Sequence, residues 1–290
     1  MERSNYVPSV YARGMTLTSV KIIGIILTEI DDLYAANAVA YLEAGLKRRG
    51  YDIIIYSTGS EINNAGKYIS SLTAKKADAV IMVGSKFESR VFADELRRIR
   101  PGIPLIMINS FIDLPGIYSV VADDKSAVYD IVVSLYSRDD MRFIYLYDSE
   151  SPSGTRKLKG FKKAVEDNAI TGYEIVRCSK DIGISKRMVI SLLKDHGCRY
   201  SIICSDDLLA IGAIKACEES GFDVPGDVSV VGYDDSILAV SSTPELTSVN
   251  CKLGEICSKS IDILMDILSG RDAVRKTQIK CEIVKRQTTV

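Results

Sequence analysis

The stretch YSIICSDDLLAIGAIKACEESGFDVPGDVSVVGY (200–233) opens on an apolar, β-branched run, YSIICS (200–205). It then crosses an amphipathic segment (207–220) stopped by Gly221 and returns to a second apolar run, VSVVGY (228–233). Neither run alternates with polar residues, so both faces of each strand must be covered, as in a parallel sheet whose crossover is a helix. The same order extends outward in both directions. Further strands are expected at VKIIGIIL (20–27), YDIIIYS (51–57), DAVIMVG (78–84), PLIMIN (104–109), YSVVA (118–122), RFIYLYD (142–148) and EIVRC (174–178). Helices are expected at 35–49, 61–76, 88–99, 125–137, 154–168, 185–196 and 253–268, several of them ending at Gly or just before Pro. That is too many strands for one small sheet. The economical division is an α/β chain of two lobes, each a doubly wound parallel sheet flanked by helices, with the first sheet ending near residue 119.

With 290 residues and 47% apolar content the chain can bury a sizeable core, which excludes disordered, collagenous and disulfide-stapled classes. The 37 Lys and Arg nearly cancel the 38 Asp and Glu. No global field draws the protein to nucleic acid or to an anionic membrane, so any DNA affinity must be local. Seven scattered cysteines without a Cys-x-x-Cys pair fit a reduced chain in the cytoplasm. No run approaches the roughly 18 apolar residues of a membrane span, so no membrane partner is expected. The polar start NYVPSVYARGMTLTS (5–19), with Pro8 at a helix-start position, reads as an appended short helix.

Four apolar strands lead into a doubled aspartate: Asp31-Asp32, Asp123-Asp124, Asp206-Asp207 and Asp234-Asp235. In open parallel sheets the ligand crevice lies outside the carboxyl ends of the strands, so these pairs should surround it. An Asp before a helix also caps it, but one Asp suffices. Asp124 and Asp207 are therefore assigned mainly to caps, leaving Asp123 and Asp206 free for a ligand. Carboxylates so placed accept bonds from sugar hydroxyls or meet a cation. A metal site is the competing use of clustered carboxylates, but no EF-hand spacing is present and none is assigned.

The segment SGTRKLKGFKKAV (153–165) is either a solvated basic face or the source of one cation, Arg156 or Lys157, turned into the crevice. Catalysis has little support. The single histidine, His196, sits in the stop signal KDHGC, and no phosphate loop, dinucleotide fingerprint or nucleophile elbow is present. Cys204 and Cys251 read as packing residues. No enzymatic activity and no cofactor are expected.

The run from SIICSDDLLAIGA to TPELTSV (201–249) resembles the LacI/GalR family of transcriptional regulators in order and spacing. Further resemblances are IIGIILTEIDDLY, GIPLIMIN, SVVADD, the GF of KLKGF, EIVKRQTTV and the hinge-like NYVPSVYARGM. The resemblance implies a two-lobed, periplasmic-binding-protein-like (type I) fold. A hinge-like segment would occupy 1–19, an N-terminal lobe 20–119 plus 250–276, and a C-terminal lobe 120–249 plus 277–290. It also implies a homodimer, a small sugar or related polyol effector in the cleft, and operator DNA bound through a helix-turn-helix head preceding Asn5, outside this chain.

Carried over by position, Asp234 is the first acid of the family's GYDD, a ligand-binding place, and Asp206 stands where the family usually has Asn. Asp123 matches the acid of the strand-end motif. Asp31 and Asp32 fall on the first lobe's polar pair, and Tyr34 on its aromatic position. Lys157 replaces the family's arginine, with Arg156 one place earlier, and the usual Gly-His is replaced near Asp139-Asp140. In the hinge, Met15 falls on the apolar wedge of the minor groove and Ala12 on the small residue of the close helix pair. The rival expectation is a solute-binding protein that delivers a small molecule to a transporter, since it shares the fold. The start of the chain, hinge-like and without a signal-peptide core, favours the regulator.

Overall fold

The computed structural model describes residues 19–59, 61–99, 101–136, 141–193 and 198–290. Its Cα atoms fall into two compact units. One comprises the described residues up to Val121 with Gly254–Thr277, and the other Ala122–Leu253 with Gln278–Val290.

The first unit carries β1 (Ile22–Leu27), α1 (Leu33–Lys47), β2 (Asp52–Ser57), α2 (Ala65–Ala74), β3 (Ala79–Val83), α3 (Arg90–Ile99), β4 (Leu105–Ile108) and β5 (Ile117–Ala122, whose last residue is grouped with the second unit). Strand β1 pairs in parallel with both β2 and β3, β3 with β4, and β4 with β5. The central strands β3 and β4 are buried at every residue, which is why their sequences AVIMV and LIMI are unbroken apolar runs. At the edge, β2 has only exposed and half-buried positions. Helix α3 buries Phe92 and Leu96, one turn apart, on its apolar stripe.

The second unit repeats the plan with α4 (Asp124–Leu135), β6 (Met141–Tyr147), α5 (Pro152–Asp167), β7 (Tyr173–Arg177), α6 (Ile182–Leu192), β8 (Arg199–Cys204), α7 (Asp207–Glu219), β9 (Val228–Tyr233), α8 (Ile237–Ser241) and β10 (Thr247–Asn250). The chain then adds α9 (Leu253–Leu268) and β11 (Lys276–Ile279), and ends with β12 (Glu282–Val284). The sheet order is β12-β10-β9-β8-β6-β7. All neighbours are parallel except β10 and β12, which are antiparallel.

In both sheets the chain first adds a strand on one side and then winds the other way. The direction of winding reverses between β1 and β3, and again between β6 and β8. Such a reversal splays the flanking loops apart and opens a crevice at the carboxyl ends of the strands.

Helix α5 shows how closely its layer is packed. Pro152 stands in the first turn after the capping Ser151, whose hydroxyl accepts from Gly154 N. A Cβ on Gly160 would lie 2.2 Å from the backbone oxygen of Lys125 on α4. The glycine of KLKGF is thus the point where two helices touch backbone to backbone. Gly160→Ala is expected to destabilise the protein by about 1–3 kcal/mol in urea unfolding, since a backbone atom cannot swing aside. An unchanged midpoint would show that the helices separate freely.

Candidate functional site

Two of the strand-end aspartate pairs, Asp123-Asp124 and Asp206-Asp207, divide their work between local capping and long-range bonding. Asp123 is the N-cap of α4 and accepts from Ser126 N at 3.3 Å. Asp206 is the N-cap of α7 and accepts from Leu208 N at 2.7 Å. Asp32 caps α1 through Ala35 N at 3.0 Å. The expectation that Asp124 and Asp207 do the capping is therefore corrected, and Asp123 and Asp206 are not free of local bonds. The reason is geometric. The residue before the first helical turn keeps non-helical backbone angles that let its carboxylate reach forward, whereas the next residue is already helical and turns its side chain inward.

Turned inward, the second acids knit the carboxyl end of the second sheet. Asp124, 1% exposed, accepts from Ser153 Oγ at 2.8 Å, Arg156 Nε at 3.1 Å and the Tyr233 hydroxyl at 2.9 Å. Asp207 accepts from Ser236 N at 2.7 Å, Ser236 Oγ at 2.8 Å and Ser248 Oγ. Burial raises Asp207 to about 6 against the lowering effect of these donors.

Lys157 is buried on α5. Its ammonium donates to Ser205 O at 2.8 Å and lies 3.4 Å from the centroid of the Tyr233 ring. Tyr233 leads into Asp234 and Asp235, two successive non-glycine residues at positive φ, 92° and 48°. That strained pair is pinned on one side by Asp234 N bonded to Val249 O. On the other, Asp235 is held by Asn250 Nδ2 at 3.0 Å and by Arg286 at 2.7 Å. Asp234 is half-buried. Desolvation raises its carboxyl to about 7; Lys157 and Lys180 oppose the rise, and Asp206 and Asp207 add to it.

The reversal point between β6 and β8 supplies residues that sequence reading missed. Ser205 Oγ donates to Asp148 Oδ1 at 3.0 Å across it, and Lys180 pairs with Asp206 Oδ2 at 2.7 Å. Their only sequence signal is position just past a strand, in LYDS (146–149) and CSKD (178–181). In the first unit, Asp31 is exposed and Tyr34 half-buried after β1. After β4 stand Asn109, buried at φ 58°, and Ser110, whose buried hydroxyl has no partner among the described residues. The second unit therefore brings Arg156, Lys157, Asp206 and Asp234 into one charged network with Tyr233, while Asp31, Asp32 and Tyr34 are gathered at the end of β1. Pro8, Ala12, Met15, Asp139, Asp140 and His196 lie outside the described residues. Among the described residues no group of three or more His, Cys, Asp or Glu is placed to hold a metal ion.

Residues 134–289 match the periplasmic binding protein-like domain family. An HTH-type transcriptional regulator of Lachnoclostridium phytofermentans is 37% identical over 294 residues, covering 100% of this chain and 88% of that protein. Among solved structures, the Lac repressor dimer bound to operator and the anti-inducer ONPF is similar with a TM-score of 0.86 at 20% identity, over 99% of this chain and 100% of that one. A LacI family transcriptional regulator from Enterococcus faecium with bound ribose has a TM-score of 0.78 at 21% identity, over 93% and 98%. The fold is the two-lobed type I α/β fold of periplasmic binding proteins, and the relatives are regulators rather than enzymes. The chain belongs to the LacI/GalR family of transcriptional regulators, of which it carries the effector-binding core.

Proposed function

We propose that the protein senses a neutral or cationic, hydroxyl-rich small molecule, a sugar or related polyol, and passes its binding to operator DNA. The proposed ligand-binding residues are Asp31, Asp32 and Tyr34 of the first unit and Asp123, Arg156, Lys157, Asp206 and Asp234 of the second. The observation that carries the reading is the state of the two cations. Arg156 is engaged by Asp124, and Lys157 is buried against Tyr233 and the Ser205 carbonyl. Neither offers the forked grip an anionic ligand needs, while Asp234 is half-buried within the electrostatic reach of Asp206. A phosphate or dicarboxylate there would leave carboxylates desolvated beside like charge. The ribose bound by the Enterococcus faecium neighbour fits the same ligand class.

DNA contact would come through a helix-turn-helix head, with Pro8, Ala12 and Met15 in the hinge, and the protein would act in the cytoplasm. No helix among the described residues is long and apolar enough to cross a membrane. The test is a thermal-shift screen of neutral sugars, amino sugars, sugar phosphates and nucleosides. Stabilisation by sugars or amino sugars is expected; stabilisation by sugar phosphates alone overturns the ligand class.

The working unit is proposed to be a homodimer. Ile237 and Val240 on α8 are 65% and 48% exposed, beside a groove in which Ile211, Ile214 and Leu238 are mixed with Lys215, Glu218 and Ser241. Exposed apolar side chains three residues apart on one helix favour a protein partner. Sedimentation at micromolar concentration is expected to give a dimer, and Ile237→Asp to move it toward monomer. A monomeric parent chain would end this part of the proposal.

A further inference from the structure

Strand β12 runs antiparallel to β10, with Ser248 opposite Val284, Val249 opposite Ile283 and Asn250 opposite Glu282. Continued one step beyond the last rung, the same register would set Cys251 opposite Cys281. Lys252 reaches across to Glu282 at 3.5 Å, and on its own strand Lys252 N bonds Asn250 Oδ1 at 2.7 Å. Facing Cα atoms across an antiparallel pair are about 4.5–5.5 Å apart, within the roughly 4.4–6.8 Å that a disulfide spans, and facing side chains leave on the same side of the sheet.

The surroundings of the two thiols agree with that placement. Burial raises both, Asp124 adds to the rise of each, and Lys157 opposes it for each. The nearness of Cys281 further raises Cys251. Both thiols are free; Cys251 is buried, and Cys281 is half-buried with its Sγ 3.7 Å from the Tyr233 hydroxyl.

We propose that Cys251 and Cys281 form an oxidisable dithiol that closes to a disulfide between the ends of β10 and β12. Cys281, the more exposed, reacts first. Its thiolate attacks one oxygen of hydrogen peroxide, the O–O bond breaks, and the departing hydroxide takes a proton to become water. The Cys251 sulfur, giving up its proton, then attacks the resulting sulfenic sulfur and expels a second water. The dithiol loses two electrons and the peroxide gains them.

With Cys281 raised to about 11, little thiolate exists at neutral pH, so closure is slow and follows sustained rather than brief oxidation. Between these cysteines the chain leaves the second unit, contributes Gly254–Thr277 to the first, and returns. The disulfide would tie that departure to that return beside Tyr233.

The test treats the full chain with hydrogen peroxide, blocks remaining thiols with iodoacetamide, digests without reduction and maps the peptides by mass. A cross-linked pair carrying Cys251 and Cys281, about 2 Da lighter than its reduced parts and reversed by dithiothreitol, is expected. Two of the seven thiols should be lost and the melting temperature should rise by about 5 °C. Cys281→Ser and Cys251→Ala should each abolish both the cross-link and the rise. Recovery of both cysteines alkylated, Cys281 trapped as sulfinic acid, or either cysteine joined to another residue or another chain overturns the proposal. No effector enters the experiment, so its failure leaves the regulatory reading untouched.

Discussion

Asp234→Asn is expected to stabilise the ligand-free protein and at the same time to abolish its thermal response to effector. The two effects share one cause. Asp234 is held at positive φ in an enclosed position near Asp206 and Asp207, and its carboxyl is raised to about 7. Near pH 8 it is charged where charge is poorly solvated. An isosteric amide removes that burden, which for a half-buried group is about 2–3 kcal/mol. A ligand hydroxyl that donates to the carboxylate would lose its charged acceptor, so the melting temperature of the variant should no longer move with sugars that shift the parent. A residue kept at a loss of stability belongs to function rather than to packing. A variant less stable than the parent, or one with an undiminished ligand response, would refute this assignment.

The same shift fixes the sign of a pH effect. An unfolded Asp releases its proton near pH 4, whereas folded Asp234 holds it to about 7 and Asp207 to about 6. Between these limits the folded state binds more protons, so the unfolding free energy should fall as pH rises from about 4 toward 7. Urea midpoints measured from pH 5 to pH 8 should decline for the parent and flatten above about pH 6 in Asp234→Asn. A parent midpoint that climbs through this range would contradict the raised values.

The sheet was largely legible because its central strands are buried on both faces and have to be written as continuous apolar runs. IIGIIL, AVIMV, LIMI and VSVVGY are strands with edges within two residues of those read from sequence. Helix α9 spans Leu253–Leu268 as read, closed by Gly270 at φ 73°. What escaped reading is short and at an edge or a turn. Strands β10, β11 and β12 hold three or four residues each, too few for a period to show, and α8 is a single turn begun by Ser236. In the site, position after a strand revealed the aspartate pairs, but their division of labour depends on partners distant in sequence. Asp124 meets Tyr233 across 109 residues and Asp207 meets Ser248 across 41, which no local pattern encodes. Lys157 was legible as a cation facing the strand ends; its burial beneath Tyr233 was not.

Asp124→Ala is expected to have the opposite profile to Asp234→Asn, lowering stability by about 3–5 kcal/mol and weakening the effector response only indirectly. The carboxylate has three donors, and removing it leaves the Tyr233 hydroxyl, Ser153 Oγ and the Arg156 guanidinium facing a cavity. A half-buried charge stripped of its counter-charge, together with two hydroxyls that lose their carboxylate acceptor, accounts for the size of the loss. Tyr233→Phe removes one donor and keeps the ring under Lys157, so it should cost about 1 kcal/mol. In urea unfolding the two substitutions should be strongly non-additive, because once Asp124 is gone the Tyr233 hydroxyl keeps only its weak contact with Cys281 Sγ. The thermal response to sugars in Asp124→Ala should shrink without vanishing, since Asp234 is still in place on the strand end that Tyr233 steadies. A loss below about 1 kcal/mol for Asp124→Ala, or full additivity with Tyr233→Phe, would mean that the strand ends are held by packing rather than by this acid.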